Sequence, residues 1–238
     1  MSRTQLSRIP LVAAIGVLAI TAFAVAPSRA AENAVVIPPP ASDVRASDSI
    51  QTVVLAGGCF WGVQGVFQHT AGVVSAVSGY AGGSKGSAGY TIVSTGMTGH
   101  AESVQVTYDP KKITFGKILQ IYFSVAHDPT QLNRQGPDSG PQYRSAIFTT
   151  SDEQRQVADA YIVQLTAAKV YRAPIVTTVG PLEAFYPAEA YHQDYLTLHP
   201  NEPYIAYNDI PKVENLKKLF AEHYLEKPTL VSSAKGTR

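Results

Sequence analysis

The 238-residue chain holds one cysteine, Cys59, and it follows Gly57 and Gly58 where a β-branched run gives way to helix-like spacing. At such a junction the first helical N–H groups have no intrahelical partner, and the helix dipole is positive. Both effects predict a lowered thiol pKa and a reactive thiolate. The glycines permit a sharp turn and leave the sulfur uncrowded. Position alone fits a buried structural cysteine equally well, because free Cys is among the most buried residue types. Phe60 and Trp61 follow, and Trp61 is the sole tryptophan. Adjacent helical residues cannot both enter one core-facing stripe. One of them is therefore expected to line a cleft beside the sulfur; the plainer account makes Phe60 core and Trp61 a surface cap. His100, His127 or His192 could serve Cys59 as base in a hydrolase. A non-catalytic module that captures ligands through Trp61 is a third class of reading.

The elements that must position these residues are legible from pattern. Thr52–Ala56 reads as a strand, and Cys59–His69 as a helix with Phe60, Val63, Val66 and Phe67 at helical spacing. Val73–Tyr80 and Ser103–Tyr108 read as strands, separated by a Gly/Ser-rich loop from Gly79 to Gly89. Phe115–Ala126 reads as a helix, residues 127–142 as a long polar loop and Arg144–Thr149 as a strand. The order is βαββαβ, which predicts an α+β fold built on the ferredoxin-like split unit, a two-layer sandwich with an elaborated C-terminal third. Ser151 and Gln154 form a capping box for a helix running to about Tyr171. Ile175–Gly180 follows as a strand, and Glu189–Leu198 and Val213–Tyr224 as helices.

Several linked segments then resemble one family. Gly58-Cys59-Phe60-Trp61-Gly62, Gly79-Tyr80-Ala81-Gly82-Gly83 and Thr98-Gly99-His100-Ala101-Glu102 are similar to signatures of the A-type peptide methionine sulfoxide reductases. So are His127-Asp128-Pro129-Thr130, Gln135-Gly136-Pro137-Asp138, Gln142-Tyr143-Arg144-Ser145, and Pro187-Ala188-Glu189 with Tyr191-His192-Gln193. The resemblance covers Thr52 to Leu198. It implies that Cys59 is the nucleophile and that Glu102 protonates the sulfoxide oxygen. It implies further that Tyr90 and Tyr143 donate to that oxygen, that Phe60 and Trp61 hold the substrate's S-methyl group, and that Asp138 supports the site. It also implies the S epimer at sulfur. The physical logic agrees: a sulfoxide sulfur is a poor electrophile until its oxygen is hydrogen-bonded or protonated. An apolar wall would keep a carboxylic acid protonated for that task. Residues 87–89 depart from the family pattern. The C-terminal region lacks the resolving cysteines that many members carry, so recycling would need an external thiol. By its environment alone Glu102 would be a solvated charge, and His100 and His192 read as structural.

Composition bounds the rest. Hydrophobic residues make up 45% of the chain and charged residues 16%, with a net charge of +1, which suits a globular protein and offers no basic surface for nucleic acid. Arg3 and Arg8 precede an apolar stretch from Leu11 to Ala26, and Ser28-Arg29-Ala30 suits a signal peptidase. Residues 1–30 therefore read as a signal peptide for export, to the periplasm in a bacterium; the alternative is an uncleaved membrane anchor. Residues 31–51 read as a Pro/Ser-containing linker, 52–225 as the catalytic domain and 226–238 as a flexible tail. A lone cysteine in an exported chain marks a candidate reactive thiol, and no CxxC or Cys/His cluster suggests zinc. The expected partners are oxidised methionine in proteins or peptides and a thioredoxin-like or small-thiol reductant. The protein is expected to be a monomer with no cofactor of its own and no membrane contact after processing.

Overall fold

The computed structural model describes Met1 and residues 34–231. The signal peptide reading, the start of the linker and the end of the tail lie outside these residues. In chain order the elements are β1 (Gln51–Gly57), α1 (Phe60–Gln68), β2 (Val73–Ala81), α2 (Tyr90–Val93), β3 (Ala101–Tyr108), α3 (Phe115–Ile121), the two-residue strands β4 (Arg134–Gln135) and β5 (Asp138–Ser139), β6 (Ser145–Thr149), α4 (Asp152–Ala167), β7 (Thr178–Pro181), β8 (Phe185–Pro187), α5 (Tyr195–Leu198) and α6 (Ile210–Leu219). The architecture is α+β.

Six strands form one sheet in the order β7-β6-β1-β3-β2-β8. All neighbours are antiparallel except β6 and β7. β1 lies between β3 and β6, and its segment Val53–Ala56 is fully buried, which is why that run reads as almost uninterrupted apolar sequence. The main core includes Leu55, Phe60, Val66, Phe67, Val104, Val106, Ile118 and Leu119, while a small cluster of Ala56, Ala101 and Ala146 forms a separate core. Each fully buried Leu, Ile or Phe contributes about 1.5–3 kcal/mol through burial. All of α1 is buried except Trp61, which is half-buried.

The elaborated third departs from its sequence pattern in particular places. The helix expected to reach Tyr171 ends at Ala167, where Lys169 takes a positive φ of 51°. The helix expected over Glu189–Leu198 is a short turn at Ala190–His192 followed by α5, broken by Asp194 at φ 60°. The helix expected from Val213 begins at Ile210, with Pro211 in its first turn, and a wide π turn at Ile205–Asp209 precedes it. The long polar loop contains the β4–β5 pair, and Phe185–Pro187 adds a sheet edge that no sequence pattern suggested.

Two segments expected to be loose are packed. Within the linker, Ile37 is buried, and the extended Pro38–Pro39 stretch leaves carbonyls that accept from Tyr161 (2.6 Å) and Gln164 (2.9 Å) on α4. The Gln120 amide donates to the Ile37 carbonyl at 2.9 Å, and Asp43 accepts from the Gly116 N–H at 2.9 Å in the first turn of α3. A polyproline stretch makes no hydrogen bonds of its own, so its free carbonyls can serve a neighbouring helix layer. At the other end, Leu225 and Thr229 donate their N–H groups to the carbonyls of His69 and Gln68, closing the C-terminus of α1.

Candidate active site

Cys59 stands between β1 and α1, at the N-cap of the helix. The turn that delivers it depends on Gly58, whose φ is +87° and where a Cβ would come within 2.5 Å of Gln135. Gly62, one turn into α1, lies against Asp209, and a Cβ there would meet Oδ1 at 2.2 Å. Glycine at these positions brings the 134–139 hairpin and the start of α6 against the cysteine.

The register of the sheet carries Glu102 to the same place. It pairs with Tyr80 across β2 and β3 and shares a face with Val104 and Val106. The side chain is 3% exposed, and Oε2 accepts from the Phe60 N–H at 3.1 Å. Glu102 thus lies within a strand, buried, and the solvated surface charge that its sequence neighbours suggested is overturned. Burial raises its pKa to about 8, opposed by the Phe60 N–H and reinforced by Asp138 and Asp209.

The predicted depression of the Cys59 pKa is also corrected. The thiol is 8% exposed, and its pKa lies well above the ordinary value. Burial is the main cause, and the carboxylates of Glu102, Asp209 and Asp138 add to it; the Trp61 N–H alone opposes them. The helix end is real, but its first donor serves Glu102, and three acidic neighbours outweigh a partial dipole charge.

Around this pair stand the other residues singled out by sequence. Phe60 is buried against Tyr80 and His192, with ring centroids 5.9 and 5.0 Å away. Trp61 stacks on Tyr195 at 3.9 Å and 8°, meets Tyr204 edge-on at 6.0 Å, and donates its indole N–H to His192 Nδ1 at 3.2 Å. Tyr90 opens α2, its N–H held by Glu189 at 3.0 Å, and its ring lies 4.5 Å from His192. Tyr143 ends a short turn after Pro141. The phenols of Tyr90 and Tyr143 are both raised in pKa, chiefly by burial, with Glu102 and Cys59 among the charges that reach them. Arg144 ties the two flanks together, donating to the carbonyls of Gly99 (2.9 Å), His100 (3.2 Å) and Pro141 (2.9 Å). Asp138 lies in the hairpin with its pKa raised by burial.

The histidines have other work. His127 contacts Ser145 and the Tyr122 carbonyl, and burial lowers its pKa to about 3, so its ring is neutral. His100 contacts the Ser84 carbonyl, and His192 accepts from Trp61.

Three residues at the site, Tyr204, Asp209 and Lys212, drew no attention in the sequence, and a fourth, Glu189, stood there only within a family-like segment with no role assigned. Tyr204 donates to Asp138, and burial, reinforced by Cys59, Asp209 and Asp138, raises its phenol pKa. Asp209 and Lys212 form a buried ion pair at 3.4 Å. Glu189 accepts from the Tyr80 phenol at 2.8 Å while holding Tyr90. Asp209 and Lys212 are spaced three apart on a helical segment, a pattern shared with ordinary surface pairs, so only burial distinguishes them. Among the described residues no group of three His, Cys, Asp or Glu side chains could hold a metal ion.

Comparison with known proteins bears on this geometry. A family model described as peptide methionine sulfoxide reductase matches residues 51–224. The chain is 64% identical over 192 residues to peptide methionine sulfoxide reductase MsrA 2 of Mesorhizobium japonicum, covering 81% of this chain and 98% of that protein. It is 46% identical to MsrA 2 of Synechocystis sp., covering 79% and 89% of the two chains. Among solved structures, reduced Mxr1 of Saccharomyces cerevisiae is similar at a TM-score of 0.58 and 33% identity, over 68% of this chain and 92% of that one. Methionine sulfoxide reductase A of Corynebacterium diphtheriae is similar at 0.56 and 35%, over 74% and 87%.

Proposed function

The chain belongs to the A-type peptide methionine sulfoxide reductases, and from that premise we propose that it reduces the S epimer of methionine sulfoxide through a Cys59 sulfenic acid. The observation that carries this reading is the buried Glu102 beside a buried thiol, with a pKa of about 8 that keeps it protonated near neutrality. A protonated carboxyl can donate to the sulfoxide oxygen, which a carboxylate cannot.

In the proposed step Cys59 Sγ bonds to the substrate sulfur while Glu102 gives a proton to the oxygen. The phenols of Tyr90 and Tyr143 donate to the same oxygen, where charge develops. Phe60 and Trp61 form the wall for the methyl group. The oxygen ends on Cys59, the thioether leaves as methionine, and the thiol proton returns to Glu102. Substrate sulfur gains two electrons and Cys59 loses two. Two external thiols then return the electrons, giving one disulfide, one water and the free Cys59 thiol. Asp138 supports the site through the Tyr204 contact. The reductant is a small thiol or a thioredoxin-like protein, and the substrates include methionine sulfoxide in oxidised proteins, so the role is repair.

Support for the frame is of the same kind. The four strands β6-β1-β3-β2, antiparallel throughout, fit the ferredoxin-like split unit. Residues 1–30 fit a signal peptide, from which we propose export to a periplasm, where the protein would act as a monomer.

The test is stoichiometry. Without reductant the enzyme should yield about one methionine per active site, the limit set by one oxidisable thiol. The exhausted enzyme should gain one oxygen in mass and react with dimedone at Cys59, and Cys59→Ser should yield no methionine. Repeated turnover in the strict absence of reductant overturns the reading.

A further inference from the structure

Cys59 touches a narrow cleft whose wall also includes Gln135, Asp138, Tyr204, Asn208 and Lys212. Glu102, Tyr90, Tyr143, Phe60 and Trp61 take no part in that wall. Asp138 and Tyr204 belong both to the site described above and to this wall, so the cleft reaches the nucleophile from the hairpin and α6 side of that site. Lys212 is the only cation in the wall. Its ammonium is held 3.4 Å from Asp209 and lies against the first turn of α1, where a Cβ on Gly62 would be 3.1 Å from Nζ.

The chemistry of recycling asks for such a second approach. A thiolate that reduces a sulfenic acid attacks sulfur in line with the departing oxygen. In the proposed reaction that oxygen comes to rest among Glu102, Tyr90 and Tyr143. The attacking sulfur must then arrive from a side that these donors do not occupy. Resting on the proposed sulfenic acid, we infer that the cleft between the β4–β5 hairpin and α6 is the entrance for the reducing thiol. The occupant is a small monothiol that passes Lys212 as its thiolate. Its sulfur bonds to Cys59 Sγ, the S–O bond breaks, and the oxygen leaves as water after taking up a proton. A second thiolate then attacks the mixed disulfide at the small thiol's sulfur, releasing a symmetrical disulfide and Cys59. Cys59 leaves as an anion among carboxylates, and the ammonium offsets part of that unfavourable charge.

The experiment separates the two half-reactions. Methionine released in a single turnover without reductant measures the first. Decay of the isolated sulfenic acid on adding 2-mercaptoethanol, followed by mass, measures the second. Asn208→Trp narrows the cleft, and Asp209→Asn/Lys212→Met removes the cation without stranding a buried carboxylate. In each variant the second rate constant should fall at least tenfold more than the first, the low end of what a local charge or a blocked approach does to encounter. Restoring charge with Asp209→Asn/Lys212→Arg should recover part of the loss, which a purely structural role would not require. Equal losses in both half-reactions, or a loss confined to the first, overturn the assignment and make the cleft part of the sulfoxide site. A sulfenic acid that forms and is reduced at the wild-type rate in both variants overturns the cleft alone. An exhausted enzyme with no sulfenic acid overturns the recycling reading and the cleft with it.

Discussion

The Phe60 N–H donates to Glu102 Oε2 at 3.1 Å, so the first donor after Cys59 serves the carboxyl group and leaves the thiol without it. The contact joins the start of α1 to the start of β3, and in the proposed reaction the protonation of Glu102 is the switch on which the chemistry turns.

In the proposed reaction the reacting form holds protons on both Cys59 and Glu102. With Glu102 at about 8 and Cys59 well above its ordinary value, single-turnover reduction should be level below pH 7 and fall as pH rises through 8. Glu102→Gln keeps a donor but has no proton to give, so the rate should drop about a hundredfold or more, and the fall near pH 8 should vanish. Glu102→Ala should lose at least as much. Rapid-quench kinetics across pH 5 to 10 would decide this; near-normal reduction by folded Glu102→Ala would refute it.

The same residue costs stability. Its folded pKa lies above its ordinary value of 4.5, so the native state binds more protons than the unfolded chain between about pH 4.5 and 8. Stability from this group is present below pH 4.5 and is lost as pH rises through 8. Glu102→Gln should therefore be more stable than wild type at pH 8, by about 4 kcal/mol, while being strongly impaired in reduction. Urea titrations at pH 5 and pH 8 give the comparison; equal stability gaps at the two pH values would contradict it.

Gly62→Ala should destabilise the fold by about 1–3 kcal/mol, the usual cost of overpacking. Its Cβ would lie 2.2 Å from Asp209 Oδ1 and 3.1 Å from Lys212 Nζ, so the buried ion pair beside Cys59 must shift. Reduction should slow in parallel. Thermal melting and single-turnover rates report both effects.

Removing residues 34–45 should lower the stability of a chain that a shorter domain definition would call complete. Ile37 alone is buried, and its replacement by Ala should cost about 2–4 kcal/mol. The deletion removes in addition the acceptors of Tyr161, Gln164 and Gln120. Denaturant midpoints of Ile37→Ala and of the deletion, with unchanged slopes for the point variant, are the check.

The hand of the substrate provides another test. Tyr90, Tyr143 and Glu102 lie on different segments from Phe60 and Trp61, so the proposed reading gives oxygen and methyl group separate places. Chiral chromatography of a racemic sulfoxide peptide should show the S epimer consumed and the R epimer left; equal consumption would contradict the proposal.

Much of this site was legible because its residues lie in short, distinctive segments. Cys59 stands out by its glycines, and Glu102, Tyr143 and Asp138 by segments that resemble the family. Tyr204, Asp209 and Lys212 had no such signal: a tyrosine after a proline and an i, i+3 charge pair are commonplace. Asp209 and Lys212 matter through tertiary packing against Gly62, almost 150 residues away in the chain, and Tyr204 through its contacts with Trp61 and Asp138. The error over the thiol has the same origin. A local argument counts the helix end, whereas the three carboxylates come from β3, the hairpin and the turn before α6. The linker misled because its polyproline run lacks periodicity, yet its carbonyls meet α4.

Trp61 is the only tryptophan in the chain, stacked on Tyr195 and hydrogen-bonded to His192. Every photon of indole emission therefore originates two residues from the reactive sulfur. The protein carries its own optical gauge: excitation at 295 nm interrogates the active site and nothing else, so binding and oxidation can be timed by intensity and wavelength in the unlabelled chain.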